Sequence, residues 1–133
     1  SPTFNCVGPG AVGTGSLAGM RVLDLLKNKA CIWPFEKINH LKKSVIVEIF
    51  PTFYFRLAKI KPDKGKGYTL ENINSGLNFY KSLPLPNNQI IKGSDQDDAD
   101  AIISSAALRF LSRNDKSWRV PNNSQKEGWI FGV

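Results

Sequence analysis

The sequence predicts an α/β domain, and three observations carry that prediction. Residues 97–113 set Ala99, Ile102, Ile103, Ala106, Ala107, Phe110 and Leu111 at i, i+3, i+4, i+7 spacing, the stripe of a helix buried along one side. The run Ser44-Val45-Ile46-Val47-Glu48-Ile49-Phe50 is β-branched and apolar, as a strand packed in a sheet requires. A helical pattern over 17–28, with Leu17, Met20, Leu23 or Val22, and Leu26, is followed at once by Ala30-Cys31-Ile32-Trp33, a short apolar run that stops at Pro34. Helical and strand patterns that alternate in this way belong to a sheet flanked by helices.

The remaining elements follow in order. Residues 1–16 are glycine-rich, and Ser16 stands where it can cap the helix over 17–28. After polar 36–43 and the 44–50 strand, Pro51 suits the first turn of a helix over 52–59. Residues 62–67 form a basic loop, and 69–81 read as a helix weakened by Gly76 and three asparagines, before Pro84 and Pro86 force an extended connection. The polar stretch 114–127 is a loop, and Gly128-Trp129-Ile130-Phe131-Gly132 reads as a short closing strand. No internal repeat interrupts this order, so 1–133 is expected to be a single domain.

Composition narrows the function classes. With 41% hydrophobic and 22% charged residues the chain is neither disordered nor fibrous. Its longest apolar runs are about 5 to 6 residues against the ~20 that a bilayer-spanning helix needs, and no leader-like opening is present, so a cytoplasmic protein with no membrane partner is expected. Cys6 and Cys31 lack metal-ligand spacing and sit among apolar neighbours, the setting of buried reduced thiols. A net charge of +7 favours polyanionic partners. Much of the excess lies in Lys37, Lys42, Lys43, Arg56, Lys59, Lys61, Lys64 and Lys66, on either side of the 44–50 strand, and Lys42, Lys43, Arg56 and Lys61 are the candidate nucleic-acid contacts.

The most telling residues are acids. Glu48 lies inside an apolar strand, where a charge needs pairing, protonation or a cation. Asp95-Gln96-Asp97-Asp98-Ala99-Asp100 opens the best helix in the chain, and Asp97 and Asp100, three apart, project from one side of it at the edge of the apolar stripe. Three carboxylates converging there would repel one another unless they shared a hard cation such as Mg²⁺ or Mn²⁺, which oxygen-only ligation selects over zinc. Glu48, Asp97 and Asp100 are thus the candidate metal ligands and catalytic residues, with Asp98 as an outside candidate. The competing account is that acids in a first helical turn are stabilised by the macrodipole and free N–H groups, by roughly 0.3 to 1 kcal/mol each. Capping accounts for Asp95 and Asp97, accounts less well for Asp100, and leaves Glu48 untouched.

With those residues in hand, the chain resembles an uncharacterised microbial family of predicted nucleases with ribonuclease H-like fold, the domain of unknown function 429. The resemblance rests on Val12-Gly13-Thr14-Gly15-Ser16-Leu17 with Gly19-Met20, on Trp33-Pro34-Phe35, on Val47-Glu48-Ile49-Phe50-Pro51, on the stretch 97–101, and on Glu127-Gly128-Trp129-Ile130-Phe131-Gly132, in that order. Residues 59–92 carry none of it. It implies a ribonuclease H-like mixed sheet flanked by helices, and a two-metal phosphodiester hydrolase in which one Mg²⁺ or Mn²⁺ activates water and the other stabilises the leaving oxygen. By position Glu48 matches the family's strand glutamate, and Asp97 and Asp100 its helix aspartates. Sites of this type also use an aspartate on the first strand. No Gly-Ile-Asp-like strand precedes the glycine loop here, so the N-terminal strands are expected to be missing, the chain to be the C-terminal part of such a domain, and its activity to be lost. A bare antiparallel sheet edge, and with it self-association, is expected to follow.

Other readings compete. Gly8-Pro9-Gly10-Ala11-Val12-Gly13 matches G-x-G-x-x-G between a 3–7 strand and a helix, which is the pattern of a dinucleotide-binding loop, but Pro9 removes an N–H from a loop that works by donating them. A non-catalytic nucleic-acid-binding or scaffold domain would use the basic residues while the acids merely cap and pair. Ser16, His40 and Cys31 invite a triad, but His40 sits in a lysine-rich polar stretch that reads as surface. Trp33 and Trp129 read as core, and Trp118, beside Lys116 and Arg119, as core or as a stacking platform for a base.

Overall fold

Among the described residues, four helices and one small parallel sheet make up the fold, which is mixed α/β. The structure is a computed structural model and describes residues 13–38, 44–89, 96–122 and 128–133. They fall into two compact units, one drawn from 1–47 and 123–128, the other from 48–122 and 129–133.

In the first unit α1 spans Gly13–Leu26. Ser16 therefore lies inside the helix and is not its cap, because the helical run starts four residues earlier than the apolar spacing indicated. Strands β1 (Cys31–Ile32) and β2 (Val45–Ile46) pair in parallel, with Cys31 opposite Val45 and Ile32 opposite Ile46. The ladder extends by Cys31 N–H to Ser44 O at 2.9 Å and Trp33 N–H to Ile46 O at 3.0 Å. Cys31 is fully buried as a free thiol, 3.4 Å from the Lys37 carbonyl, and Trp33 is buried with it. Both core assignments made from the sequence hold for these residues.

The expected strand over 44–50 is cut short. Pairing stops at Ile46, the boundary between the units falls after Val47, and Phe50 turns into the next helix as its N-cap. Glu48 pairs only through an isolated parallel bridge to Ile130. The closing strand shrinks to that same bridge, because Gly128 and Gly132, at φ 81° and 84°, take the left-handed region and end the extended run on either side. The described strands are parallel, so the bare antiparallel edge is not found among them.

The second unit is helical. Pro51 begins α2 (Pro51–Leu57), where its missing N–H costs nothing, and Tyr54 and Phe55 face inward. Helix α3 (Leu70–Phe79) is opened by a reciprocal cap in which Thr69 Oγ1 accepts from Asn72 N–H at 3.3 Å and Asn72 Oδ1 accepts from Thr69 N–H at 3.0 Å. Helix α4 (Asp97–Leu111) packs against both. Of its predicted stripe, Ala99, Ile103, Ala106, Ala107 and Leu111 are buried, and Ile102 and Phe110 half-buried. A 3₁₀ turn over Asp115–Trp118 follows.

Gly76, which weakens α3 by propensity, is where the packing is closest: a Cβ there would collide with the Ile60 side chain and come within 2.7 Å of Ile103 Cδ1. Two buried phenols tie the helices to the C-terminal segment. Tyr80 donates to the Tyr54 carbonyl at 2.7 Å, and Tyr54 donates to the Phe131 carbonyl at 2.9 Å.

Two stability measurements check this account. Tyr80→Phe leaves the shape but removes the donor, and is expected to lower the unfolding free energy by about 1 to 3 kcal/mol in urea titration. Gly76→Ala gains helix propensity yet is expected to destabilise by about 1 to 3 kcal/mol through overpacking. A stabilised Gly76→Ala variant would mean that Ile60 and Ile103 yield freely.

Candidate functional site

The acidic start of α4 is built on an unusual entry. Gln96, the N-cap, takes a left-handed conformation with φ 51° and makes no side-chain cap bond, while its carbonyl accepts from Asp100 N–H at 2.8 Å. Asp97 and Asp98 are exposed, Ala99 between them and Asp100 is buried, and Asp100 is half-buried. The i, i+3 spacing brings Asp97 and Asp100 together. Burial, and then the charge of Asp97, hold the Asp100 carboxyl above the ordinary carboxylate range. Asp100 also acts on Tyr68, whose phenol is raised first by burial and then by that carboxylate. Among the described residues neither Asp97 nor Asp100 is in an ion pair.

The helix macrodipole accounts for Asp97 and Asp98, which stay in water. It accounts for Asp100 less completely, since a half-buried carboxylate loses hydration as well as gaining the favourable field.

Glu48 is placed differently from the expectation. Its side chain is exposed, and what fixes the residue is its backbone, whose carbonyl accepts from Phe131 N–H at 2.9 Å. The argument that a buried charge in a sheet core demands a partner does not apply, because the strand ends before Glu48. Among the described residues no three of His, Cys, Asp and Glu come together as a group able to hold a metal ion. The structure thus joins Asp97 with Asp100 and does not bring Glu48 into a three-carboxylate cluster with them. Asp97 and Asp100 supply oxygen donors of the kind Mg²⁺ and Mn²⁺ take. A complete two-metal site is not formed by the described residues.

Of the basic candidates, Arg56 and Lys61 are exposed in the second unit. Lys42, Lys43, His40, Asp95, Cys6 and the glycine loop before Gly13 lie outside the described residues. Trp118 is half-buried, donates from Nε1 to the Ser112 carbonyl at 3.0 Å and sets its ring against Phe131 with centroids 4.5 Å apart, an arrangement of packing. Trp129 is half-buried and donates to the Val133 carbonyl at 3.1 Å. Sequence reasoning missed two residues. Tyr68, beside Asp100, precedes the Thr69 cap and belongs to no periodic pattern. Arg109 sits on the polar side of α4 and donates to the carbonyls of Tyr80 at 2.9 Å and Lys81 at 2.6 Å, closing the end of α3. A basic residue late in an amphipathic helix was the only signal for it.

No described helix is long and apolar enough to cross a membrane. In comparisons with known proteins, no family model, no curated protein and no solved structure matches the chain.

The raised Asp100 carboxyl has a signed consequence. Ionised Asp100 costs the folded state, so its contribution is most favourable below its unfolded value and is lost as pH rises through the higher folded one. Asp100→Asn is therefore expected to be more stable than the wild type at pH 7 without divalent ions, the difference closing below about pH 4, near the unperturbed value for Asp. Urea melts at the two pH values check this. A destabilised variant at pH 7 would mean that the carboxylate is compensated in the fold.

Proposed function

We propose that this chain belongs to a Mg²⁺- or Mn²⁺-dependent nuclease of ribonuclease H-like fold, with Asp97 and Asp100 as metal ligands, Glu48 as a third and Asp98 as an outside candidate. The observation that carries the reading is the carboxylate pair itself. Asp100 is half-buried beside Asp97 with no cationic side chain in an ion pair with either among the described residues. Such a pair is relieved by a hard cation. The ordered resemblance through 47–51, 97–101 and 127–132 supports the same reading from the sequence.

A bound cation would supply activation of water and charge neutralisation at the phosphate. The chain's own residues contribute the rest of the reading. Asp97 and Asp100 present oxygens from one side of α4, and Arg56 and Lys61, with Lys42 and Lys43, attract the phosphates of a nucleic acid partner. Ligands beyond this pair come from outside the cluster the described residues form, so the chain is expected to be inactive by itself. A cytoplasmic location and a capacity to self-associate belong to the same proposal.

A second reading has an observation of its own. The basic residues of 56–66 are exposed and outnumber the acids there, which suits a nucleic-acid-binding or scaffold domain without catalysis.

Calorimetric titration of Mn²⁺ separates the two. On the nuclease reading the chain binds Mn²⁺ weakly, and Asp97→Asn and Asp100→Asn each reduce affinity at least about tenfold, the scale lost even when an outer partner of a metal site is removed. Weakening by Glu48→Gln as well would place the glutamate at the same cation, and an unchanged isotherm would remove it from the site. A folded wild type that binds no Mn²⁺ would leave the non-catalytic reading.

A further inference from the structure

The turn between α2 and α3 is a strongly cationic surface in the second unit. Lys59, Lys61, Lys64 and Lys66 stand within residues 59–67 against the single acid Asp63, and all five are exposed. Among the described residues none of the four lysines is in an ion pair. Yet the turn has a fixed shape. Asp63 N–H donates to Gly67 O at 2.8 Å, and the N–H groups of Lys66 and Gly67 return to Asp63 O at 3.0 and 3.1 Å. Gly65 and Gly67 supply the left-handed conformations the closure needs, at φ 76° and 71°.

Both ends of the turn are fastened to the core. Ile60 is buried and its N–H donates to Phe55 O at 2.9 Å. Tyr68 is buried and stacks on Phe55, with ring centroids 4.0 Å apart. The lysines are thus held on a rigid base, and Ile60 faces inward. What the turn shows to solvent is mainly cationic and polar, with Pro62 as its one exposed apolar side chain and no exposed aromatic ring to stack on a base.

We infer that the turn over 59–67 binds the phosphate backbone of a nucleic acid, through Lys59, Lys61, Lys64 and Lys66, without reading its sequence. The inference rests on the nucleic-acid partner of the proposed function and assigns that partner a surface, mostly in residues that carry no family resemblance. Its position fits. Tyr68, which fastens the end of the turn, is also the phenol on which the Asp100 carboxylate acts. Phosphate contacts position and base contacts specify, and this surface offers only the first kind.

The test is fluorescence anisotropy of a labelled short DNA, single-stranded and duplex, with EDTA present, between about 50 and 200 mM NaCl. Replacing the four lysines with glutamine keeps the backbone and the glycines, and circular dichroism checks that the variant folds. The variant is expected to bind at least about tenfold more weakly at the low-salt end, with a log–log salt slope on duplex reduced by about 3 to 4. Arginine at the same four positions should retain binding. An equal loss of charge elsewhere, with glutamine at Arg21, Lys29, Lys37 and Arg113, should leave most of it. Wild-type binding that the turn variant shares in full would overturn the assignment while leaving the nucleic-acid partner in place. A wild type that binds no DNA at any salt would overturn both. Competition by poly-glutamate as strong as by unlabelled DNA would overturn the choice of nucleic acid. Because EDTA removes divalent ions, failure of the Mn²⁺ titration bears on none of these outcomes.

Discussion

Two tyrosine hydroxyls inside the second unit hold its parts in place. Tyr54 and Tyr80 are fully buried, and each reaches a peptide carbonyl far away in the chain: Tyr80 that of Tyr54, and Tyr54 that of Phe131. Phe131 N–H then donates to Glu48 O at 2.9 Å. The run of bonds joins the end of α3, the body of α2, the C-terminal segment and the residue that enters the unit. Burial pushes the Tyr54 hydroxyl up to about 12 and raises that of Tyr80 further, so both remain donors across ordinary pH. A buried phenol without a partner would cost about 1 to 3 kcal/mol, a large share of a domain's stability, so the placement of those carbonyls weighs heavily in the fold. Helix α4 is laid on the surface that α2 and α3 provide, and Arg109 fastens it there by reaching the carbonyls that end α3.

That frame explains which parts of the fold were legible in the sequence. Helix α4 was, because a stripe of small and branched apolar residues at 3.6 spacing has one low-energy use. So was the start of α2 at Pro51. Gly76 was read as a weakness of α3, whereas its missing side chain is what lets Ile60 and Ile103 meet over the helix. Propensity counts the backbone and not the neighbour. The strands were overestimated for a related reason. Ser44 to Phe50 has the residue types of a strand throughout, but pairing needs a partner at each position, and only Val45, Ile46 and the isolated Glu48 have one. The tyrosine bonds left no trace in the sequence, since a hydroxyl that reaches across 26 or 77 residues follows no period.

The candidate site divides in the same way. The pairing of Asp97 with Asp100 followed from helix geometry, which fixes neighbours three residues apart whatever the tertiary structure does. Convergence of Glu48 on that pair depended on a long strand carrying it into the sheet, and with the strand ended at Ile46 its side chain stays in water. Tyr68 was invisible as a site residue because its contact with the field of Asp100 depends on how the turn folds back.

The acids and the lysines would work against each other if the carboxylates stood alone. A phosphate about 7 Å from a carboxylate is repelled by roughly 2 kcal/mol at an effective dielectric near 20, so Asp97 and Asp100 would oppose any phosphate brought that close. On the proposed reading the two surfaces therefore have separate dependences. The lysine turn supplies attraction that salt weakens and that needs no divalent ion, while the acidic pair changes from repelling the phosphate to drawing it in only when a cation is bound. Nucleic-acid binding that survives chelation is then the consequence of the cationic turn, and binding of a cation that of the anionic helix start.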